Sequence, residues 1–210
     1  MDISQNTDHI TKTISPDNNI YYFQNDIDVR ICPKNAMSTI KNAAHLINKI
    51  DEEKNFALSR VHAVRKLSCR INPPFRKGTT KYAIKRDPCE RFLSAWRFLK
   101  MHHGLEMTVT ETIKALETQN YSYEPHFMSQ SYFMGWPEEY DKVFNIDKTQ
   151  NLLKILVKGA PADVPEDIIT NLHVNETRSK AHLGGTELTE NQKIRVMELY
   201  KIDYERGWYV

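Results

Sequence analysis

Asp28-Val29-Arg30-Ile31-Cys32-Pro33-Lys34-Asn35-Ala36-Met37-Ser38-Thr39 is the stretch whose reading decides the fold. A short β-branched run stops at Pro33-Lys34, small and hydroxylated residues follow, and apolar side chains then recur at Ile40, Ala43, Ala44, Ile47 and Ile50. Spacings of three and four put those side chains on one face of a helix. The stretch therefore predicts a strand over Asp28–Cys32, a tight turn, and a helix to about Ile50. A strand that turns directly into a helix presents free backbone N–H groups at the positive end of the helix dipole, which favours an anion. Lys34 adds a point charge to the turn, and Ser38 and Thr39 add hydroxyls in the first helical turn. Taken alone, the same residues also describe an ordinary strand–loop–helix connection with a surface lysine.

A second stretch repeats the pattern. Lys81-Tyr82-Ala83-Ile84-Lys85 reads as a strand running into Arg86-Asp87-Pro88. Asp87 suits the N-cap, Pro88 the first helical position and Glu90 the third, which predicts a capping box. Phe92, Ala95, Trp96 and Leu99 make the buried face of that helix, with Ser94 pointing elsewhere. Each unit puts a cation at the C-terminal end of a strand, where ligands of open α/β sheets gather. Two separated anion sites on one sheet suit a nucleoside carrying phosphates at both ends.

The rest of the chain sets bounds. Its 210 residues, 40% hydrophobic and 27% charged, suit one α/β domain of three layers, with a mainly parallel sheet flanked by helices. Residues 1–19 are polar and read as a flexible arm, leaving a single domain over 20–210. A net charge of +2 is too small for a general nucleic-acid binder. Between Arg60 and Arg91, however, ten basic residues face only Asp87 and Glu90, a local field that favours an anionic ligand or acceptor. Cys32, Cys69 and Cys89 are odd in number and lack metal-ligand spacing, so they read as reduced thiols and small buried fillers. No metal is expected. No apolar run suits a membrane span, and Met1-Asp2-Ile3-Ser4-Gln5-Asn6 lacks signal-peptide features, so the expected location is cytoplasmic, with no membrane or nucleic-acid partner.

Elsewhere the pattern is mixed. Ile20-Tyr21-Tyr22-Phe23 reads as a short strand or an aromatic lid, and Phe56–Arg70 is ambiguous. Thr108–Thr118 predicts a helix, whereas the aromatic-rich Tyr121–Trp136 reads as irregular. Lys142–Ile146 predicts a strand, followed by a helix through Leu152, Leu153, Leu156 and Val157 that stops at Gly159 and Pro161. Gly159–Gly185 is loop-rich. A last helix starts at Thr189, with Gln192 completing a capping box, and runs toward Tyr204.

With these residues in view, Pro33-Lys34-Asn35-Ala36-Met37-Ser38-Thr39 resembles the 5′-phosphosulfate loop of sulfotransferases that use 3′-phosphoadenosine 5′-phosphosulfate (PAPS). Arg86-Asp87-Pro88-Cys89-Glu90-Arg91-Phe92-Leu93-Ser94 resembles their 3′-phosphate motif, with the arginine and the serine eight positions apart. The spelling is most similar to the carbohydrate sulfotransferases of the chondroitin and dermatan type. Fainter echoes follow in order at Glu124–Gln130, Tyr140–Phe144 and Tyr200–Glu205. The loop departs from many members in lacking a glycine.

The resemblance implies a P-loop-like nucleotide-binding fold, PAPS as donor without a metal, and a carbohydrate hydroxyl as acceptor. The basic segment points to an acceptor that is itself anionic. Lys34, Asn35, Ala36, Met37, Ser38 and Thr39 would hold the 5′ end of the donor, and Arg86 and Ser94 the 3′-phosphate. Arg178 or Lys180 would close over the nucleotide, or else each is a solvated loop charge. A sugar hydroxyl needs a proton acceptor. His62 is favoured for that role by resemblance, His126 in the acceptor-side motif is the second candidate, and a carboxylate such as Glu53 stays open. Oligomeric state is not legible.

Two rivals differ in class. A P-loop kinase or NTPase needs a glycine-rich loop ending in Gly-Lys-Ser/Thr, and Pro33–Thr39 contains no glycine. A non-catalytic polyanion-binding module would use the basic segment alone and leave the paired turns without a purpose.

Overall fold

The computed structural model describes residues 20–23, 26–47, 75, 77–118, 124–158, 167, 169, 172 and 187–209. Over these it is an α/β fold with a four-stranded, mostly parallel sheet in sequential order. Strand β1 (Ile20–Phe23) pairs antiparallel with β2 (Ile27–Arg30). Strands β3 (Thr80–Lys85) and β4 (Lys142–Asn145) then continue in parallel, with Arg30 opposite Ala83 and Lys85 opposite Asn145. Of the two readings of Ile20–Phe23, the strand is the one formed. The β2 strand ends earlier than the expected Cys32, because Ile31 and Cys32 already lead into the turn.

Side-chain alternation on β3 decides which helices cover which face. Ile84 joins Val29, Ile31 and Phe144 in a core closed by α1 (Met37–Ile47) and by α5 (Thr149–Val157). Its neighbour Ala83 packs in a second cluster with Cys32, Phe133, Met134, Tyr140 and Trp208. A third core holds Phe92, Ala95, Trp96 and Leu99 of α2 (Pro88–His102) against α3 (Val109–Thr118) and α6 (Glu190–Leu199). Both faces of the sheet are thus covered, as buried parallel strands require.

Tyr121–Trp136 is more regular than expected. Its described part forms a 3-10 turn, Pro125–Phe127, and the short helix α4 (Gln130–Met134), each with a side-chain cap, from Glu124 and from Ser129. Proline at the first helical position and capping at both starts were the signals overlooked. The last helix begins with the expected reciprocal box between Thr189 and Gln192, but it breaks at Tyr200 and resumes as α7 (Lys201–Glu205).

The start of α2 corrects the sequence reading in one half. Asp87 accepts from the Glu90 N–H at 2.9 Å, as expected. The Glu90 carboxylate does not return to the cap; it lies 3.5 Å from Arg86 Nε. The buried face also contains Arg91 and Arg97, so Arg91 belongs to the interior and not to the proposed surface field.

Candidate anion-binding site and its neighbours

Because β2 and β3 are adjacent and parallel, both turns leave the carboxyl ends of neighbouring strands about 4.8 Å apart. The sequence places a cation in each. The structure joins them directly: Arg86 Nη1 donates to the Lys34 carbonyl at 3.1 Å.

The first loop is held from inside. Asn35 is fully buried, and its amide donates to the Ile84 carbonyl at 2.8 Å and also to Gln130 Oε1. With Asn35 fixed inward, the residues on either side take left-handed backbone, Lys34 at φ +71° and Ala36 at φ +58°. Such conformations strain a residue with a Cβ and persist where the surroundings over-determine them. Ala36 therefore occupies a backbone shape that glycine adopts freely. The first rung of α1 is the bond from Ile40 N–H to the Ala36 carbonyl at 3.0 Å, so the amides of Met37, Ser38 and Thr39 precede the helical ladder. Ser38 is half-buried and Thr39 is buried.

The second loop is short. Arg86 is half-buried, its N–H donates to Gln130 Oε1 at 3.0 Å, and its carbonyl accepts from the Tyr209 hydroxyl at 2.7 Å. Ser94 is half-buried in the second turn of α2. It shares a helical face with Glu90 and Phe98 at spacings of four. That face is turned toward the first loop, because Lys34 Nζ lies 4.1 Å from the centre of the Phe98 ring.

Charge in this corner is poorly hydrated. Burial, and secondarily the nearby Arg86, pull the Lys34 ammonium down to about 8. Burial also holds the Arg86 guanidinium below its usual range, with Glu90 opposing the shift. Two adjacent cations, both penalised for being charged, form a site that an arriving anion stabilises. The bond donors present, a lysine, an arginine, a helix start and hydroxyls, match phosphate or sulfate chemistry.

His126 lies on the far side of Phe98, its ring 4.8 Å from the phenyl centre. Its Nδ1 is 2.6 Å from Glu124 Oε1. Burial pulls its pKa down, opposed by Glu124 and aided by Lys34. A neutral imidazole that donates through Nδ1 to a carboxylate keeps the Nε2 lone pair available as a proton acceptor. Phe98 also meets His102 and His103, at 5.0 and 5.2 Å. The helix ends at His102, with His103 as its C-cap.

The structure thus brings Lys34, Asn35, Ala36, Met37, Ser38, Thr39 and Arg86 together and sets Ser94 and His126 beside them. His62, Arg178 and Lys180 lie outside the described residues. Cys32 is fully buried, its thiol pushed up to about 12, and Cys89 is pushed up to about 11, as inert fillers would be. Sequence reasoning missed Phe98, Glu124, Gln130 and Tyr209. Only Glu124 and Gln130 carried a signal, as the ends of a stretch already singled out for His126. Compared with family models, with curated proteins and with solved structures, the chain matches none. No helix among the described residues is long and apolar enough to cross a membrane.

Proposed function

We propose that this chain is a PAPS-dependent sulfotransferase on a three-layer, P-loop-like fold, which moves a sulfuryl group to a hydroxyl of a carbohydrate in the cytoplasm. The observation that carries this reading is the bond from Arg86 to the Lys34 carbonyl, which makes one site of two cationic turns. The donor supplies an activated sulfuryl group and a nucleotide leaving group on which negative charge grows. Lys34 and the amides at the start of α1 face that charge, and donors already in place where charge develops lower the barrier. Arg86 and Ser94 would fix the 3′-phosphate and so the donor's orientation. His126, polarised by Glu124, would take the acceptor's proton at Nε2. By resemblance, His62 is the alternative base and Arg178 or Lys180 would close over the nucleotide, and an anionic acceptor fits the basic segment.

Calorimetry with adenosine 3′,5′-bisphosphate and with ATP–magnesium tests the donor site. The expected result is tighter binding of the bisphosphate, with sulfuryl transfer from labelled PAPS to members of a glycan panel. Preference for ATP–magnesium would support a kinase or NTPase instead. Binding to sulfated glycans that collapses with salt and ignores Lys34→Ala would support a polyanion-binding module.

A further inference from the structure

Gln130 is fully buried at the first position of α4, away from every motif that defines the two turns. Its carboxamide nevertheless touches both. Gln130 Oε1 accepts from the Arg86 N–H at 3.0 Å and from the Asn35 side-chain amide, one residue after Lys34. Gln130 Nε2 donates to the Tyr209 hydroxyl, which in turn donates to the Arg86 carbonyl at 2.7 Å. A closed cycle results: the Arg86 backbone is held at its N–H by Gln130 and at its C=O by Tyr209, and those two side chains hold each other. Gln130 itself is anchored, because its own N–H donates to buried Asp203 at 2.9 Å, and Asp203 also accepts from the Ser131 N–H and hydroxyl at 2.7 and 2.6 Å.

We infer that Gln130 is a positioning residue that sets the separation between the Lys34 and Arg86 anion sites, and so selects a nucleotide phosphorylated at both ends of its ribose over one phosphorylated at a single end. The inference rests on the donor-site reading above. A buried amide with donor and acceptor both engaged admits one arrangement of its neighbours. A side chain of similar size that makes neither bond lets the two turns drift, and bidentate recognition is the first thing lost. Tyr209 acts on the same residue's backbone, so removing its hydroxyl should reproduce part of the effect.

The test compares adenosine 3′,5′-bisphosphate with adenosine 5′-monophosphate by calorimetry in wild type, Gln130→Met and Tyr209→Phe, with thermal unfolding measured alongside. In wild type the bisphosphate should bind at least tenfold tighter. In Gln130→Met that ratio should fall at least fivefold while monophosphate affinity changes less than twofold, and Tyr209→Phe should lower the ratio by a smaller factor. In turnover assays, Gln130→Met should raise KM for the donor more than it lowers kcat. A wild type that binds both nucleotides equally overturns the donor-site reading, and this inference with it. A wild type that discriminates, with variants that melt earlier but keep the ratio, overturns the inference alone. Should Gln130→Met not fold, an unchanged ratio in Tyr209→Phe overturns it just as well.

Discussion

The turn around Lys34 and the turn around Arg86 leave the same carboxyl end of the sheet, yet they are built differently. Arg86-Asp87-Pro88 takes its helix start from local residues, with the aspartate capping Glu90 and the proline opening the helix, while distant Gln130 and Tyr209 hold the Arg86 backbone. The Lys34 turn is longer and takes its shape from afar, through Asn35 bonding to Ile84 and to Gln130. It also carries two left-handed residues that its own sequence does not favour. The difference teaches where each kind of work is done. The turn whose helix start is specified locally holds and orients, while the Lys34 turn carries the left-handed backbone.

The sharpest break in that comparison is removal of the two charges. Lys34→Ala should lower kcat on the order of 100-fold, since a lost donor at a site of developing charge typically costs that much. Arg86→Ala should act mainly on donor KM, by about tenfold, equivalent to about 1.4 kcal/mol. Equal effects of both variants on kcat and KM, in steady-state assays across donor concentration, would erase the division of labour.

Stability separates the turns next. Asn35→Ala strips buried hydrogen bonds and should cost about 1–3 kcal/mol in denaturant unfolding, whereas Asp87→Ala, losing one exposed cap bond, should cost about 1 kcal/mol. The pH profile of kcat/KM sharpens the contrast further. His126 must be neutral to accept a proton, and burial lowers its pKa, so activity should rise with pH through a limb below the ordinary histidine range. Lys34 must be charged, so activity should fall as pH passes about 8. Lys34→Arg should move only the alkaline limb, and upward. The smallest effect belongs to Ala36→Gly. Relief of left-handed strain, offset by the flexibility of glycine, should raise stability by roughly 0.5 kcal/mol and leave nucleotide affinity unchanged.

The same contrast explains what could be read from the sequence. Period and punctuation disclosed both strand–turn–helix units, the Asp87 cap and the Thr189–Gln192 box, because each is specified within a few residues. Lys34 and Arg86 were legible for that reason. That they touch follows from β2 lying next to β3 in parallel, which no short window contains. Gln130 and Tyr209 were harder still. A glutamine in an aromatic stretch and a tyrosine after α7 acquire meaning only when 44 and 123 positions of chain separation close onto the Arg86 backbone. Glu90 shows the reverse failure: a correct local motif lost its second bond to a nearby guanidinium.

One buried side chain ties the two halves of the site in a further way. The Arg91 guanidinium, with no exposed surface, donates to the carbonyls of His126 and Met128 and stacks 4.6 Å from the centre of the Tyr200 ring. Lifting the 124–128 segment away would strip a buried cation of both of its carbonyl acceptors, a state costlier than the loss of two ordinary bonds. Backbone amides in that segment should therefore exchange with deuterium only in openings that also disrupt α2 against α6, so that a stretch without long helices resists exchange like a core.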